Sequence, residues 1–214
     1  MFQLSISGTI TNLTITLWNT ATFKPNDPSD ILTALFFTLP GDPTLTKVSG
    51  FLGAGSVGVE DGHDLTVPGG DVGGSWTYAS GLSGAPGGAN QGVSAVGFGL
   101  FGPKNLFPGA ALPGDSPVPG GVGGGLTTAI DGGSMYNGGL SDRPLIKNVV
   151  VLTLDGIPVT FRLQDISNVS VQYGTSLSEP NIDAIIEQAI PEPSTAMLTA
   201  SGIFLLALLR RKRS

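Results

Sequence analysis

The sequence predicts an all-β fold, a jelly-roll-like β-sandwich with long glycine-rich loops, followed by a short C-terminal membrane helix. Apolar and β-branched residues alternate with period two in several stretches, as in half-buried strands. Glycine (33) and proline (16) are abundant among the 214 residues, and charged residues make up only 12%. We assign residues 1–178 to the β-sandwich body, 179–190 to a linker and 191–214 to a tail.

The first 52 residues predict four strands. Alternation in residues 3–18 predicts two strands joined near Thr11-Asn12, carried by Leu4, Ile6, Leu13, Ile15 and Leu17. A turn-rich break with Pro25, Asn26 and Pro28 follows. The apolar stretch from Asp30 to Leu39 predicts a buried strand, and Thr44–Leu52 predicts another.

The segment between Gly53 and Gly139 is dominated by glycine. It has no three-residue period, which excludes collagen, and no repeated calcium-binding array, which disfavours a β-roll or solenoid. Two stretches, 53–58 and 97–102, match the glycine pattern of dinucleotide-binding loops. Neither is followed by residues that can open a helix, so both are interpreted as loops. Short apolar islands at 75–79, 93–100 and 126–130 are candidate strands.

The last part of the body predicts a three-stranded meander. Ile146–Leu154 is a strong strand candidate, and Asp155-Gly156 is typical of a two-residue hairpin turn. Ile157–Leu163 is then expected to return antiparallel, and Val169, Val171 and Tyr173 alternate in a third strand. The linker at 179–190 is a candidate for a short helix.

Composition excludes several classes of function. Four of the ten basic residues lie at 210–213, and without them six basic residues face sixteen acidic ones, a net charge of −10. Nucleic acid would repel such a body. The chain has no cysteine, one histidine and no Gly-x-Ser-x-Gly motif. We therefore expect no enzyme and no cofactor, with a glycosidase as the most distant alternative.

Two residue clusters are candidates for ligand binding. Glu60, Asp61, His63 and Asp64 are either a loop for a hard cation or a solvated acidic loop. Because they lack the ligand spacing of an EF-hand, we expect the solvated loop and no metal site. Trp18, Trp76 and Tyr78 are either a sugar-stacking surface or sandwich core. Trp18 lies in the opposite phase to Leu13, Ile15 and Leu17 and is expected to face outward.

The tail has three parts in order. Pro191, Glu192 and Pro193 form an extended, helix-incompatible segment. Residues 196–209 carry no charge and as a helix span about 21 Å, short of the ~30 Å hydrocarbon core unless flanking residues snorkel. Arg210, Arg211, Lys212 and Arg213 end the tail and favour a cytoplasmic C-terminus.

This order of Pro-Glu-Pro, apolar helix and basic cluster resembles the PEP-CTERM sorting domain of Gram-negative bacteria. The stretches 81–88 and 167–175 of the body are also similar to predicted members of that family. The resemblance implies processing by an exosortase-type enzyme, with Pro191, Glu192 and Pro193 as recognition residues and residues 210–213 as the membrane orientation signal. It also implies association with exopolysaccharide and biofilm.

The resemblance leads to an expectation about location and role. We expect an exported protein, transiently anchored in the inner membrane and then carried to the cell surface or extracellular matrix as a structural or adhesive component. A lectin-like carbohydrate-binding module is the alternative. Residues 1–5 have neither a basic region nor an apolar run of a signal peptide, so the true start is expected upstream.

Overall fold

The computed structural model describes residues 2–8, 12–115, 121–128 and 138–184. Within these ranges the protein is all-β, and each helical segment is a single three-residue 3-10 turn. The strands are β1 Phe2–Gly8, β2 Asn12–Asn19, β3 Leu32–Thr38, β4 Thr46–Leu52, β5 Val57–Glu60, β6 His63–Leu65, β7 Thr77–Ser80, β8 Gln91–Ser94, β9 Leu126–Thr127, β10 Leu145–Lys147, β11 Val149–Asp155, β12 Ser167–Tyr173 and β13 Asn181–Asp183.

The first sheet has four antiparallel strands in the order β1-β2-β11-β4. Strand β2 alternates strictly, with one face buried and the other partly exposed, as its sequence predicts. Its buried residues stand opposite buried residues of β11, for example Ile15 opposite Leu152 and Leu17 opposite Val150. Strand β11 is therefore internal, with β2 on one side and β4 on the other.

The second sheet follows the order β13-β12-β3-β9-β10-β5-β6, and β8 also pairs with β3 and carries β7. Strand β3 is buried on both faces, which explains why its sequence is almost continuously apolar. The register pairs Leu35 with Val93 of β8 and with Val171 of β12. Most pairings are antiparallel, and β9 with β10 is parallel.

The main apolar cluster contains residues of both sheets. Leu17 and Leu152 of the first sheet belong to it together with Leu35, Phe37 and Val171 of the second. The opposite side of β3 packs elsewhere, since Phe36 lies in a separate cluster beneath the glycine-rich loops with residues that include Ala85, Ala89 and Phe101. The long loops are thus packed against the second sheet.

Close backbone contacts account for part of the glycine content. A Cβ on Gly73 would clash with the Pro108 carbonyl oxygen, and one on Gly50 would lie 2.9 Å from the Gly73 Cα. No side chain fits at either position without moving the backbone. Here glycine permits the loops to lie directly on strand β4 and on each other.

The strands predicted before residue 53 are confirmed as β1 to β4. Each of the three apolar islands overlaps a short strand, β7, β8 or β9, although the island at 93–100 shares only residues 93–94 with β8. The predicted strand at 146–154 is interrupted at Asn148, which has a positive φ of 85° and separates β10 from β11. This break moves the chain from the second sheet to the first.

The predicted hairpin at Asp155-Gly156 is wrong. Residues 157–162 form no strand, and the three-stranded meander does not exist, because β12 belongs to the other sheet. Both edges of β11 are already occupied by β2 and β4, which leaves no place for a returning strand. Pro158 also removes a backbone donor from that segment.

A two-residue Asp-Gly hairpin occurs instead at Asp61-Gly62. Both residues have positive φ, 47° and 77°, as a type I′ turn requires. The turn joins β5 and β6, with Glu60 opposite His63 and Gly58 opposite Leu65. The interpretation of residues 60–64 as a loop is therefore wrong, and the loop expected at 53–58 ends in strand β5.

The linker predicted at 179–190 begins inside the second sheet. Strand β13 pairs antiparallel with β12, and the Ala184 amide donates to the Val169 carbonyl at 2.7 Å. The helix expected from residue 179 is therefore wrong at its start, and the folded body reaches at least Ala184. Residues 185–190 and the whole tail, 191–214, lie outside the described residues.

Candidate functional site

The predicted sorting residues lie beyond the part of the chain that the structure describes. They are Pro191, Glu192, Pro193, Arg210, Arg211, Lys212 and Arg213. Among the described residues, no helix has the length and apolar character needed to cross a bilayer. The apolar stretch 196–209 is outside the residues to which that finding applies.

The acidic cluster does not converge on a common point. His63 and Asp64 are consecutive in β6, so their side chains point to opposite faces of the hairpin. The carboxylate of Asp61, at the turn, accepts a hydrogen bond from the Asp142 amide at 3.4 Å. Across the described ranges, no three His, Asp or Glu side chains are placed to hold a metal ion together.

The three candidate sugar-binding aromatics are separated by the fold. Trp76 and Tyr78 are buried in the main apolar cluster, and the Trp76 indole donates to the Gly124 carbonyl at 3.1 Å. Trp18 is 39% exposed on the outer face of the first sheet, as its phase predicts. Phe51 of β4, 44% exposed, shares that face, because Trp18 is opposite Val149 and Phe51 is opposite Val151.

Tyr78 anchors a buried polar network. Its hydroxyl donates to the Gln91 amide oxygen and accepts from the Leu45 amide at 3.1 Å, and the Gln91 amide nitrogen donates to the Asp42 carboxylate. Burial raises the pKa of Tyr78 to about 12, so the phenol is neutral at physiological pH. The network fixes the loop between β3 and β4, which is a structural role.

An open pocket lies where the second sheet meets the segment after β2. We call it the end pocket; its volume is about 190 Å³ and it is lined by Ala21, Phe23, Ser29, Asp30, Tyr173, Pro180 and Ile182. Phe23 is 50% exposed and Ile182 is 43% exposed, although both are large apolar side chains that line the same pocket. The walls of the end pocket are therefore mainly apolar and accessible to a ligand.

Hydrogen bonds hold the walls of the end pocket in place. The Thr128 hydroxyl donates to the Phe23 carbonyl at 3.1 Å, and the Tyr173 amide donates to the Pro180 carbonyl at 2.9 Å. Asp30 closes a 3-10 turn, where its Oδ2 accepts from the Asn26 and Asp27 amides at 2.9 and 3.2 Å. The pocket is thus preformed by three separate segments of the chain.

Two residues that line the end pocket, Tyr173 and Asp30, carry polar groups without a partner in the described part of the chain. Tyr173 is only 7% exposed, yet its hydroxyl has no hydrogen-bond partner among the described residues. That hydroxyl is not enclosed, since Thr20 Oγ1 is the only fully enclosed unpartnered side-chain oxygen in those ranges. Burial raises the pKa of Tyr173 to about 12, so the group is a neutral donor and acceptor. Asp30 Oδ1 is likewise without a partner in the described part of the chain.

No family model matches the chain, and no curated protein and no solved structure matches it. Any assignment of function therefore comes from the residues themselves and their geometry.

The sequence did not point to the end pocket. Phe23 falls in the predicted turn-rich break, Asp30 is the first residue of the predicted strand at 30–39, and Ile182 falls in the predicted linker. One signal was present, since Phe23 is a large aromatic among Lys, Pro, Asn and Asp residues that favour exposed turns. Its partners at 173–182 are brought to it only by the pairing of β12, β3 and β13.

Proposed function

We propose that the protein is an exported surface or extracellular-matrix protein sorted through its C-terminal tail. The observation that carries the proposal is the order of three features in the sequence: Pro191 to Pro193, the uncharged stretch 196–209 and the basic cluster 210–213. The first gives an extended segment for a processing enzyme, the second enters lipid, and the third fixes a cytoplasmic C-terminus. The proposed partners are an exosortase-type enzyme and, before processing, the inner membrane.

The arrangement of the body supports this role for the tail. The buried residues of the main apolar cluster come from positions 13–173, with Ala184 packed against it, and the last described strand, β13, is at the edge of the second sheet. All three residues of β13 are exposed. The last described strand is therefore at the surface of the body, which supports access of a membrane-bound enzyme to the chain that follows it.

The proposed role after sorting is structural or adhesive, in association with exopolysaccharide, and not catalytic. We propose that the two sheets form a jelly-roll-like sandwich, since residues of both contribute to one apolar cluster. A low share of charged residues, 12%, and many glycines are typical of secreted β-proteins. The acidic body gives no support to binding of nucleic acid.

Three variants test the sorting proposal in an exosortase-bearing host, with the chain carried behind an export signal. Deleting residues 191–214 should release a folded body that is no longer retained by membranes. Replacing Pro191, Glu192 and Pro193 with alanine should leave an uncleaved, membrane-bound protein. Neutral residues at 210–213 should give mixed orientation in a protease-protection assay.

Two outcomes contradict the sorting proposal. If the truncated body is unfolded by circular dichroism, the stretch 196–209 belongs to the core and not to a membrane. If the mature protein of the unaltered chain keeps its tail, as measured by mass spectrometry, the Pro191–Pro193 segment is not a processing site.

A second candidate function is carbohydrate binding. The observation that favours it is the outer face of the first sheet, where Trp18 and Phe51 are exposed on one side of β2, β11 and β4. Strand spacing puts their Cα atoms roughly 12 Å apart, with Val149 and Val151 of β11 between them. Retention of the unaltered chain on immobilised polysaccharide, lost in Trp18→Ala and Phe51→Ala, tests this candidate.

A further inference from the structure

We propose that the end pocket binds one neutral pyranose ring, such as the terminal sugar of a polysaccharide. The site is separate from the outer face of the first sheet, and the proposal does not depend on the tail. It rests on three observations: the size of the end pocket, the apolar character of its walls, and the unpaired polar groups carried by two residues that line it.

The size of the end pocket selects a small ligand. Its volume of about 190 Å³ is below the ~300–1,000 Å³ typical of pockets for drug-sized molecules. A single six-membered ring is of suitable size, whereas a nucleotide or a dinucleotide is too large. Because the pocket is open to solvent, further sugar units can extend outward from a bound terminal ring.

The walls match the apolar face of a sugar. Phe23, Pro180 and Ile182 offer an aromatic ring and aliphatic surface, and both Phe23 and Ile182 are about half exposed. Sugar C–H groups pack on such surfaces and remove them from water, which is favourable at about 25 cal/mol per Å². An aromatic wall rigidly held by its backbone loses little conformational entropy on binding.

The unpaired polar groups match sugar hydroxyls. The Tyr173 hydroxyl both donates and accepts, and Asp30 Oδ1 is a charged acceptor that makes a stronger hydrogen bond than a neutral one. A sugar ring carries hydroxyls that donate and accept around its edge, so it can satisfy both groups at once. A purely apolar ligand would leave Tyr173 and Asp30 without partners at a cost in free energy.

Charge excludes acidic sugars. Segments 20–30 and 173–184 contain Lys24 against Asp27, Asp30, Glu179 and Asp183. The Asp27 carboxylate stays ionised, because a hydrogen bond from the Ser29 backbone amide lowers its pKa. A uronic acid would bring a like charge beside Asp30 and is disfavoured. The ligand of the end pocket is therefore a neutral hexose or N-acetylhexosamine unit.

The test measures sugar binding to the full chain in a detergent without a sugar head group. The probes are methyl glycosides of glucose, galactose, mannose and N-acetylglucosamine, with glucuronate as the anionic counterpart, titrated to about 0.1 M and followed by calorimetry and ligand-observed NMR. We expect at least one neutral glycoside to bind and glucuronate to bind at least tenfold more weakly.

Three variants locate the site. Tyr173→Phe removes one hydroxyl and should weaken binding roughly threefold to tenfold, the effect of one neutral hydrogen bond. Phe23→Ala should weaken binding about tenfold or more, while Val159→Ala, at an exposed apolar position in the turn after β11, should leave it unchanged. Far-UV circular dichroism confirms that each variant is folded.

Any of three results overturns the proposal. In the first, no neutral glycoside binds. In the second, glucuronate binds with the same affinity as its neutral counterpart. In the third, Phe51→Ala loses sugar binding and Phe23→Ala keeps it, which assigns the sugar to the outer face of the first sheet instead. None of these results touches the sorting proposal, which is measured by cleavage and membrane retention.

Discussion

Gln172 is expected to be the most sensitive polar side chain of the body. It is fully buried in β12, and its amide nitrogen lies 3.0–3.2 Å from four carbonyl oxygens, those of Tyr173, Ser176, Glu179 and Pro180. Its amide oxygen accepts from Asn181 at 3.2 Å. The loop from β12 to β13 is thus folded around one carboxamide, and the same loop supplies a wall of the end pocket.

The expected loss in Gln172→Met follows from counting hydrogens. The amide carries two. The Ser176 and Pro180 carbonyls also accept from the Glu179 and Tyr173 backbone amides, so the loss falls on the Tyr173 and Glu179 carbonyls, at about 1–3 kcal/mol for each one left unpaired. Allowing for relaxation of the loop, the free energy of unfolding should fall by roughly 3 kcal/mol, or about 6–12 °C in Tm for a chain of this size. Gln164→Met, at an exposed position in a 3-10 turn, is the matched control and should stay within about 0.5 kcal/mol of the parent.

Gln172→Glu separates hydrogen bonding from shape. It keeps the size of the side chain but directs a carboxylate at carbonyl oxygens, so its pKa in the folded state should rise above the ordinary value of about 4.3. A raised pKa makes folding take up a proton, and the variant should recover stability as the pH falls through that pKa. Thermal unfolding of the full chain in mild detergent, followed by near-UV circular dichroism, measures all three variants. A drop of less than about 1 kcal/mol in Gln172→Met, or no recovery of Gln172→Glu in acid, would refute this account of the loop.

Three further predictions follow from features of the body. Gly62→Ala should lower stability by about 1–2 kcal/mol, because the alanine must adopt the positive φ of 77°, whereas Gly102→Ala, at a φ of −139°, should be nearly neutral in the same thermal assay. Tm should fall as the pH rises from about 10 to 12, because burial raises the pKa of Tyr78 and Tyr173 to about 12 and the unfolded state releases those protons first; Tyr173→Phe should flatten this decline. Adding calcium or a chelator should leave Tm unchanged, since Glu60, Asp61, His63 and Asp64 do not share a site, and a chelator-induced drop of several degrees would contradict that geometry.

Strands with local signals were predictable from sequence. The alternation of β2 reports a strand with one face in the core, and the apolar run of β3 reports a strand covered on both sides. These patterns are local because the order of apolar and polar residues along a strand reflects which of its faces are buried. Pairing leaves a weaker trace, and the sequence alone did not reveal that β2 and β11 are neighbours.

The two Asp-Gly pairs show where local chemistry stops being sufficient. Asp61-Gly62 forms the hairpin turn, and Asp155-Gly156 does not, although both dipeptides tolerate positive φ. The difference lies in what surrounds the preceding strand: β5 has room for β6 at its edge, whereas both edges of β11 are taken. Only the tertiary arrangement contains that information.

The candidate sites divide in the same way. The outward phase of Trp18 could be predicted because it follows from strand periodicity. For Trp76 and Tyr78 the sequence left core and sugar-stacking surface as alternatives, and the structure shows core. The alternatives stayed open because the covering loops come from elsewhere in the chain, as the bond from Trp76 to the Gly124 carbonyl illustrates. The end pocket joins residues 21–30 to residues 173–182, so no window of sequence contains it.

The central position of β11 determines when the body can fold. The Trp18 indole donates to the side chain of Asn148, which comes 130 positions later in the chain. Strand β2 therefore pairs with a strand, β11, that is far from it in sequence. Closing so long a loop before any contact compensates for its entropy makes folding slow. Whether the chain is delivered by a ribosome or across a membrane, the hairpin of β1 and β2 emerges early with one edge unpaired. Until β11 is synthesised and pairs with β2, the unpaired backbone groups of β2 are open to pairing with a chaperone or with another copy of the chain.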